Sequence, residues 1–137
     1  RLVAKTKAQN VAMEKYLSTT NLSVNLRELI KIRVSQINKC AFCIEIHTKD
    51  ARRLGETESR IYALTAWKES RLFNDEERAV LALADQVTEI SENGVCESVF
   101  QEVQKYFDDH QVAQMIVAIN QMNFWNRIAV STKMFHS

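Results

Sequence analysis

Apolar and polar positions along this chain recur three and four residues apart, the spacing of one face of a helix. Over residues 4–18, Val11, Met13, Tyr16 and Leu17 stand among polar residues, and Thr19-Thr20-Asn21 breaks the pattern. Leu26, Leu29, Ile30, Arg33, Val34 and Ile37 mark the stripe of a second helix, which Asn25-x-x-Glu28 would open as a capping box. Asn38-Lys39 reads as a turn, and a third helix is expected from about Cys40 to Leu54, closed by Gly55. Thr57 can cap a fourth, carrying Ile61, Tyr62, Leu64, Thr65 and Trp67. Asn74-x-x-Glu77 leads into a fifth, from Ala79 to Ile90, which Asn93-Gly94 ends. A sixth covers about Glu97 to Tyr106. Asp108 with Gln111 opens the seventh, whose apolar residues run around much of its circumference, as in a central or interface helix.

Composition narrows this to an all-α fold, a compact bundle of six to seven helices. The chain has no proline and two glycines, too few to punctuate strands and hairpins. At 137 residues it is expected to be a single domain over residues 1–137. A formal net charge of +1 speaks against nucleic acid as the main partner, and no apolar run reaches membrane-spanning length. Three cysteines, two of them close together, fit a reactive or metal-binding pair in a reducing, cytoplasmic compartment rather than a secreted disulfide framework.

The chemistry concentrates in Cys40-Ala-Phe-Cys43-Ile-Glu-Ile-His47. On a helix, Cys40, Cys43 and His47 share a face. A thiol becomes a nucleophile through a base, a nearby cation or a helix N-terminus, and His47, Lys39 and the start of the third helix supply one each. If the second and third helices form an antiparallel hairpin, a rise of ~1.5 Å per residue puts Glu28 roughly 16 Å from the turn. The same rise puts His47 roughly 12 Å and Cys43 about 6 Å from it. The expected order is Glu28, His47, Cys43, Cys40, with Glu28 holding His47 and His47 deprotonating Cys43. The helix N-terminus, however, favours Cys40 as the more acidic thiol, so either cysteine can be the attacking one.

Glu28, eleven residues, then Cys40-x-x-Cys43-x-x-x-His47 resembles the signature of alkylhydroperoxidase AhpD-like proteins of the carboxymuconolactone decarboxylase superfamily. The likeness continues through Thr48-Lys49-Asp50-Ala51-Arg52, Gly55-Glu56-Thr57 and Tyr62-Ala63-Leu64-x-Ala66-Trp67. It resumes at Asn123-x-Trp125-Asn126-Arg127-x-Ala129-Val130, so it covers residues 22–132. The resemblance implies a thiol-dependent peroxidase that cycles between dithiol and disulfide and needs neither metal nor cofactor. In that pattern Cys43 attacks an organic hydroperoxide, Cys40 resolves the product, and Glu28 with His47 relays protons. It also implies an external dithiol, a thioredoxin-like reductant or a peroxiredoxin as redox partner, and a homo-trimer or hexamer. Phe42 stands where the family's peroxidases carry a second histidine.

Two other readings use the same residues: a helical zinc module ligated by Cys40, Cys43, His47 and Glu28, and a redox-sensing assembly domain. Elsewhere, Trp67, Trp125 and Phe42 are candidates to line a pocket for a peroxide's organic tail. Cys96 reads as a buried or loop cysteine, and His110 and His136 as surface residues.

Overall fold

The computed structural model describes residues 2–135. Its helices are α1 (Leu2–Leu17), α2 (Val24–Ile37), α3 (Ala41–Arg53), α4 (Glu58–Ala63), α5 (Asp75–Thr88), α6 (Ile90–Asn93), α7 (Glu97–Gln104) and α8 (Asp109–Ser131). A 3-10 helix, Leu64–Glu69, joins α4 to α5, and no strand occurs among the described residues. The fold is all-α, as expected, with the single-turn α6 added to the seven helices that periodicity marks. None of the described helices is long and apolar enough to cross a membrane.

Local capping chemistry sets most of the boundaries. Reciprocal capping boxes form at Asn74 with Glu77 and at Asp108 with Gln111, and Thr57 Oγ1 accepts from the Arg60 N–H at 3.2 Å. The Asn25–Glu28 box does not form. Ser23 caps α2 instead, accepting from the Leu26 N–H at 3.1 Å. A serine is as good an N-cap as an asparagine, and starting the helix two residues earlier leaves the Glu28 carboxyl free to enter the packed interior.

Three helix ends share one hydrogen-bond pattern. At the end of α8 the Lys133 N–H donates to Val130 O at 3.4 Å and the Met134 N–H to Ala129 O at 2.9 Å, with Lys133 at φ 58°. After α3 the Gly55 N–H donates to Arg52 O at 3.0 Å and the Glu56 N–H to Ala51 O at 2.9 Å, with Gly55 at φ 95°. After α2 the Lys39 N–H donates to Gln36 O at 3.2 Å and the Cys40 N–H to Ser35 O at 3.0 Å, with Lys39 at φ 56°. A left-handed lysine costs roughly 1–2 kcal/mol relative to a right-handed one. The tight reversal it permits delivers Cys40 straight to the start of α3.

α8 is the central helix, packing against α1, α2, α3, α5 and α7. Its Val112, Met115, Ile119, Met122 and Ala129 join Ile30, Val34, Val80 and Leu83 in the main core, which also includes both cysteines of the pair. A second cluster, with Leu29, Ile32, Leu64, Trp67 and Leu81, lies under α4 and the 3-10 helix. α2 contributes to both, so Arg33 on its expected apolar stripe needs a partner. Asp85 receives the guanidinium at 2.7 and 3.1 Å and also accepts from Trp67 Nε1 at 3.1 Å.

Candidate active site

The hairpin of α2 and α3 builds the site. Cys40 is the N-cap of α3, and its Sγ accepts from the Cys43 N–H at 3.4 Å. The two cysteines are joined as a disulfide, their Cα atoms 5.3 Å apart. Both are buried. In the dithiol form a Cys40 sulfur at this position faces the positive end of the α3 dipole, which favours its thiolate.

One turn after Cys43, His47 meets α2. Its Nδ1 lies 3.4 Å from Glu28 Oε2, while Lys31 Nζ approaches Glu28 Oε1 at 3.3 Å. Burial alone would push the Glu28 carboxyl up. His47 and the Lys31 ammonium beside it outweigh that and hold it below the usual carboxylate range. The contact with His47 is long, and neither Glu28 Oε2 nor His47 Nδ1, both buried, completes an aligned hydrogen bond. An orphaned buried polar atom costs about 1–3 kcal/mol, and here two face each other.

Cys43 and His47 open onto a cleft of about 320 Å³. Phe42, Ile46, Met122, Trp125, Ala129 and Met134 form its apolar wall, and Asn10, Glu14, Lys31 and Gln121 bring polar groups. α1 is tied across α8 there: Asn10 Oδ1 accepts from Trp125 Nε1 at 2.6 Å and from Gln121 Nε2 at 2.8 Å, and Glu14 Oε1 accepts from Gln121 at 2.7 Å.

The expected order along the hairpin is what the structure places. Glu28 meets His47, His47 shares the cleft with Cys43, and Cys40 sits behind Cys43 at the turn. Phe42 and Trp125 line the cleft as anticipated. Trp67 does not; its indole lies in the second core against Asp85, because the 3-10 helix carries it away from α8. In the disulfide form the four proposed zinc ligands do not assemble, since the sulfurs are bonded to each other. Cys96 is an exposed loop cysteine before α7 and His110 is exposed, while His136 lies outside the described residues.

Sequence reasoning missed two contributors. Lys31 follows Glu28 by one helical turn, and that i,i+3 charge pair was the signal available. The other is a buried amide network: Asn38 Nδ2 donates to Asn123 Oδ1 and to Asn126 Oδ1, both at 2.9 Å, and Asn126 Nδ2 donates to Ser35 Oγ at 3.0 Å. It bolts the turn before Cys40 onto α8. Its mark in the sequence was two asparagines three residues apart on the last helix, Asn123 and Asn126.

With this geometry in place, comparisons with known proteins agree on the lineage. Residues 4–86 match the model of the carboxymuconolactone decarboxylase family. The uncharacterized protein YdfG of Bacillus subtilis (strain 168) is 46% identical over 119 residues, covering 87% of this chain and 81% of that protein. A protein of unknown function from Agrobacterium tumefaciens, proposed to be an antioxidant defence protein AhpD, superposes with a TM-score of 0.93 at 36% identity. That match covers 98% of this chain and 92% of the other. An uncharacterized peroxidase-related protein from Silicibacter sp. TM1040 gives 0.83 at 26% identity, covering 97% of this chain and 70% of its own.

Proposed function

The chain belongs to the carboxymuconolactone decarboxylase family and has the AhpD-like fold, and from that premise we propose that it is a thiol-dependent peroxidase reducing organic hydroperoxides. One observation carries the reading: Cys43 of the cysteine pair and His47 face the same largely apolar cleft, with Glu28 buried behind His47. That arrangement gives a nucleophile, a base and a group that holds the base. The apolar wall suits an organic tail.

In the proposed cycle the reduced enzyme binds the peroxide beside Cys43. With Nδ1 of His47 turned to Glu28, Nε2 is the nitrogen left to take the Cys43 proton. The thiolate attacks one peroxide oxygen, the O–O bond breaks, and Cys43 becomes a sulfenic acid. The departing alkoxide takes the proton from His47 and leaves as an alcohol. Cys40, three residues away and already at bonding range, attacks the sulfenic sulfur, expels water and forms the disulfide seen here. An external dithiol restores both thiols by exchange and is itself oxidised. Cys43 is assigned as the attacking sulfur because it lines the cleft and Cys40 does not. The helix N-terminus then assists Cys40 in the resolving step.

The test is mass spectrometry with peptide mapping of pre-reduced, metal-free protein, before and after one equivalent of an organic hydroperoxide. The expected result is a Cys40–Cys43 disulfide, reversed by a dithiol and repeated over many cycles. Thiols that stay reduced would remove the peroxidase reading. A sulfenic acid that accumulates on Cys40 in a Cys43→Ser protein would reverse the two roles.

A further inference from the structure

Glu28 and His47 are joined by a third group that the proposed cycle does not use. Asp50 follows His47 by three residues on α3, and so shares its face of the helix. One ligand atom from each of Glu28, His47 and Asp50 lies within 4.8 Å of the other two. Glu28 comes from α2 and the other two from α3, so the three converge across a packed helix pair instead of along one exposed surface.

An acidic cluster alone would carry little. Here the Glu28 side chain is only 9% exposed, and its Oε2 has no hydrogen-bond partner although it points at His47 Nδ1, which has none either. A buried carboxylate oxygen facing an imidazole nitrogen with no aligned hydrogen bond calls for a proton or a metal ion between or beside them. Their 3.4 Å separation equals the spacing of two ligands at tetrahedral angle on a zinc ion, about 3.4 Å for bonds near 2.0–2.1 Å. The Asp50 carboxylate lies within 4.8 Å of both. One imidazole and two carboxylates suit zinc better than magnesium or calcium, which take oxygen ligands throughout. Lys31 on Glu28 Oε1 and Arg53 on Asp50 Oδ1 (2.6 Å) leave the second oxygen of each carboxylate for the ion.

We propose that Glu28, His47 and Asp50 form a zinc-binding site, distinct from any site using the cysteines, and that an ion bound there shuts off the proton relay. Zinc binding stands without the peroxidase reading; only its inhibitory consequence rests on it. A zinc ion on His47 Nδ1 and Glu28 Oε2 leaves the imidazole's remaining proton on Nε2, the nitrogen that would take the Cys43 proton, and takes the carboxylate away from the ring. Catalysis then stops while the cysteines remain chemically intact.

The experiment is isothermal titration calorimetry of zinc chloride into the disulfide form, where the sulfurs are not available as ligands. One ion per chain is expected. Asp50→Asn should weaken binding by at least about tenfold, a loss that even outer-sphere partners of a metal can produce. A Cys40→Ser/Cys43→Ser double variant should bind as the parent does. His47→Gln, a second route to the same ligand set, should abolish binding if Asp50→Asn proves unstable. No saturable binding, affinity unchanged in Asp50→Asn, or affinity lost with the cysteines would each overturn the site. In turnover assays, with each protein measured against its own zinc-free rate, zinc should inhibit the parent and should inhibit Asp50→Asn only at about tenfold higher concentration. Equal inhibition of both would overturn the relay block. If the protein turns over no peroxide, the calorimetric arm still decides the site.

Discussion

Glu28 and Glu77 are both carboxylates packed between helices, and both are held below the usual carboxylate range because neighbouring cations outweigh the cost of burial. Their surroundings differ in one respect. Arg60 forks across both Glu77 oxygens, the Asn74 N–H adds a bond to Oε1 at 2.9 Å, and Arg60 also donates to Glu56 Oε1 and to Leu72 O, each at 2.6 Å. Every charge there is answered. At Glu28 one oxygen and the facing histidine nitrogen are not. The satisfied cluster ties α4 to α5 and has no proton to spare. The unsatisfied pair lies beside the cysteine pair, where the proposed cycle moves a proton. A buried charge group that leaves bonds unmade is thus a better pointer to chemistry than one that is merely buried.

Breaking each side in turn tests that contrast. The largest effect is expected from His47→Gln. It should lower the rate of peroxide-driven disulfide formation by about 10²–10⁴-fold, the range of a lost general base, yet change folding stability by less than about 1 kcal/mol. Stopped-flow kinetics and urea unfolding on the same protein would show it. A large loss of stability with an intact rate would make His47 a structural residue.

Arg60→Ala should do the reverse. Removing one partner of a fully buried pair costs about 3–5 kcal/mol; with this guanidinium 22% exposed, about 2–3 kcal/mol is expected. The rate of disulfide formation in the folded variant should match the parent, and a tenfold slower rate would count against the separation of the two regions.

The third effect is a pH dependence. Glu77 in the unfolded chain titrates near 4.5 and in the folded protein lower. The unfolded state therefore takes up the proton first on acidification. The stabilisation is complete above pH 4.5 and is lost as pH falls through the folded value. Urea midpoints should fall below that pH more steeply in the parent than in Glu77→Gln, and equal slopes would show that the pair adds nothing.

The smallest effect belongs to the cleft wall. Trp125→Phe removes one hydrogen bond to Asn10 and replaces the indole with a smaller aromatic ring, and about 1–2 kcal/mol is expected. Hydrogen exchange should report faster opening of α1 alone; a global loss would place α1 in the cooperative core.

Much of this was open to a reading of residues. The caps at Thr57, Asn74 and Asp108 were legible because they are local bonds between residues three apart. So was the Cys43–His47 face, since the helix repeat alone aligns it, whereas Cys40 stands just outside the helix as its N-cap. Asn25-x-x-Glu28 misled for the same reason: the pattern of a capping box is local, but which of Ser23 and Asn25 caps α2 depends on where Glu28 is buried. Trp67 and Trp125 looked alike as candidates for the cleft, and only packing separates them. One turns under the 3-10 helix to Asp85, and the other lies on α8 beneath α1.

The sequence by itself determined the helices, the caps at Thr57, Asn74 and Asp108 and the placing of Cys43 and His47 one turn apart on α3, all set by forces acting within a turn or two of chain. The tertiary structure alone decided that Glu28 faces His47, that Asn38 is bolted to Asn123 and Asn126, and that two buried atoms go unpartnered beside Asp50. Those facts depend on the register between helices brought together by burial of their apolar faces. Burial is non-directional, so no local pattern of residues specifies which polar atoms it will bring face to face.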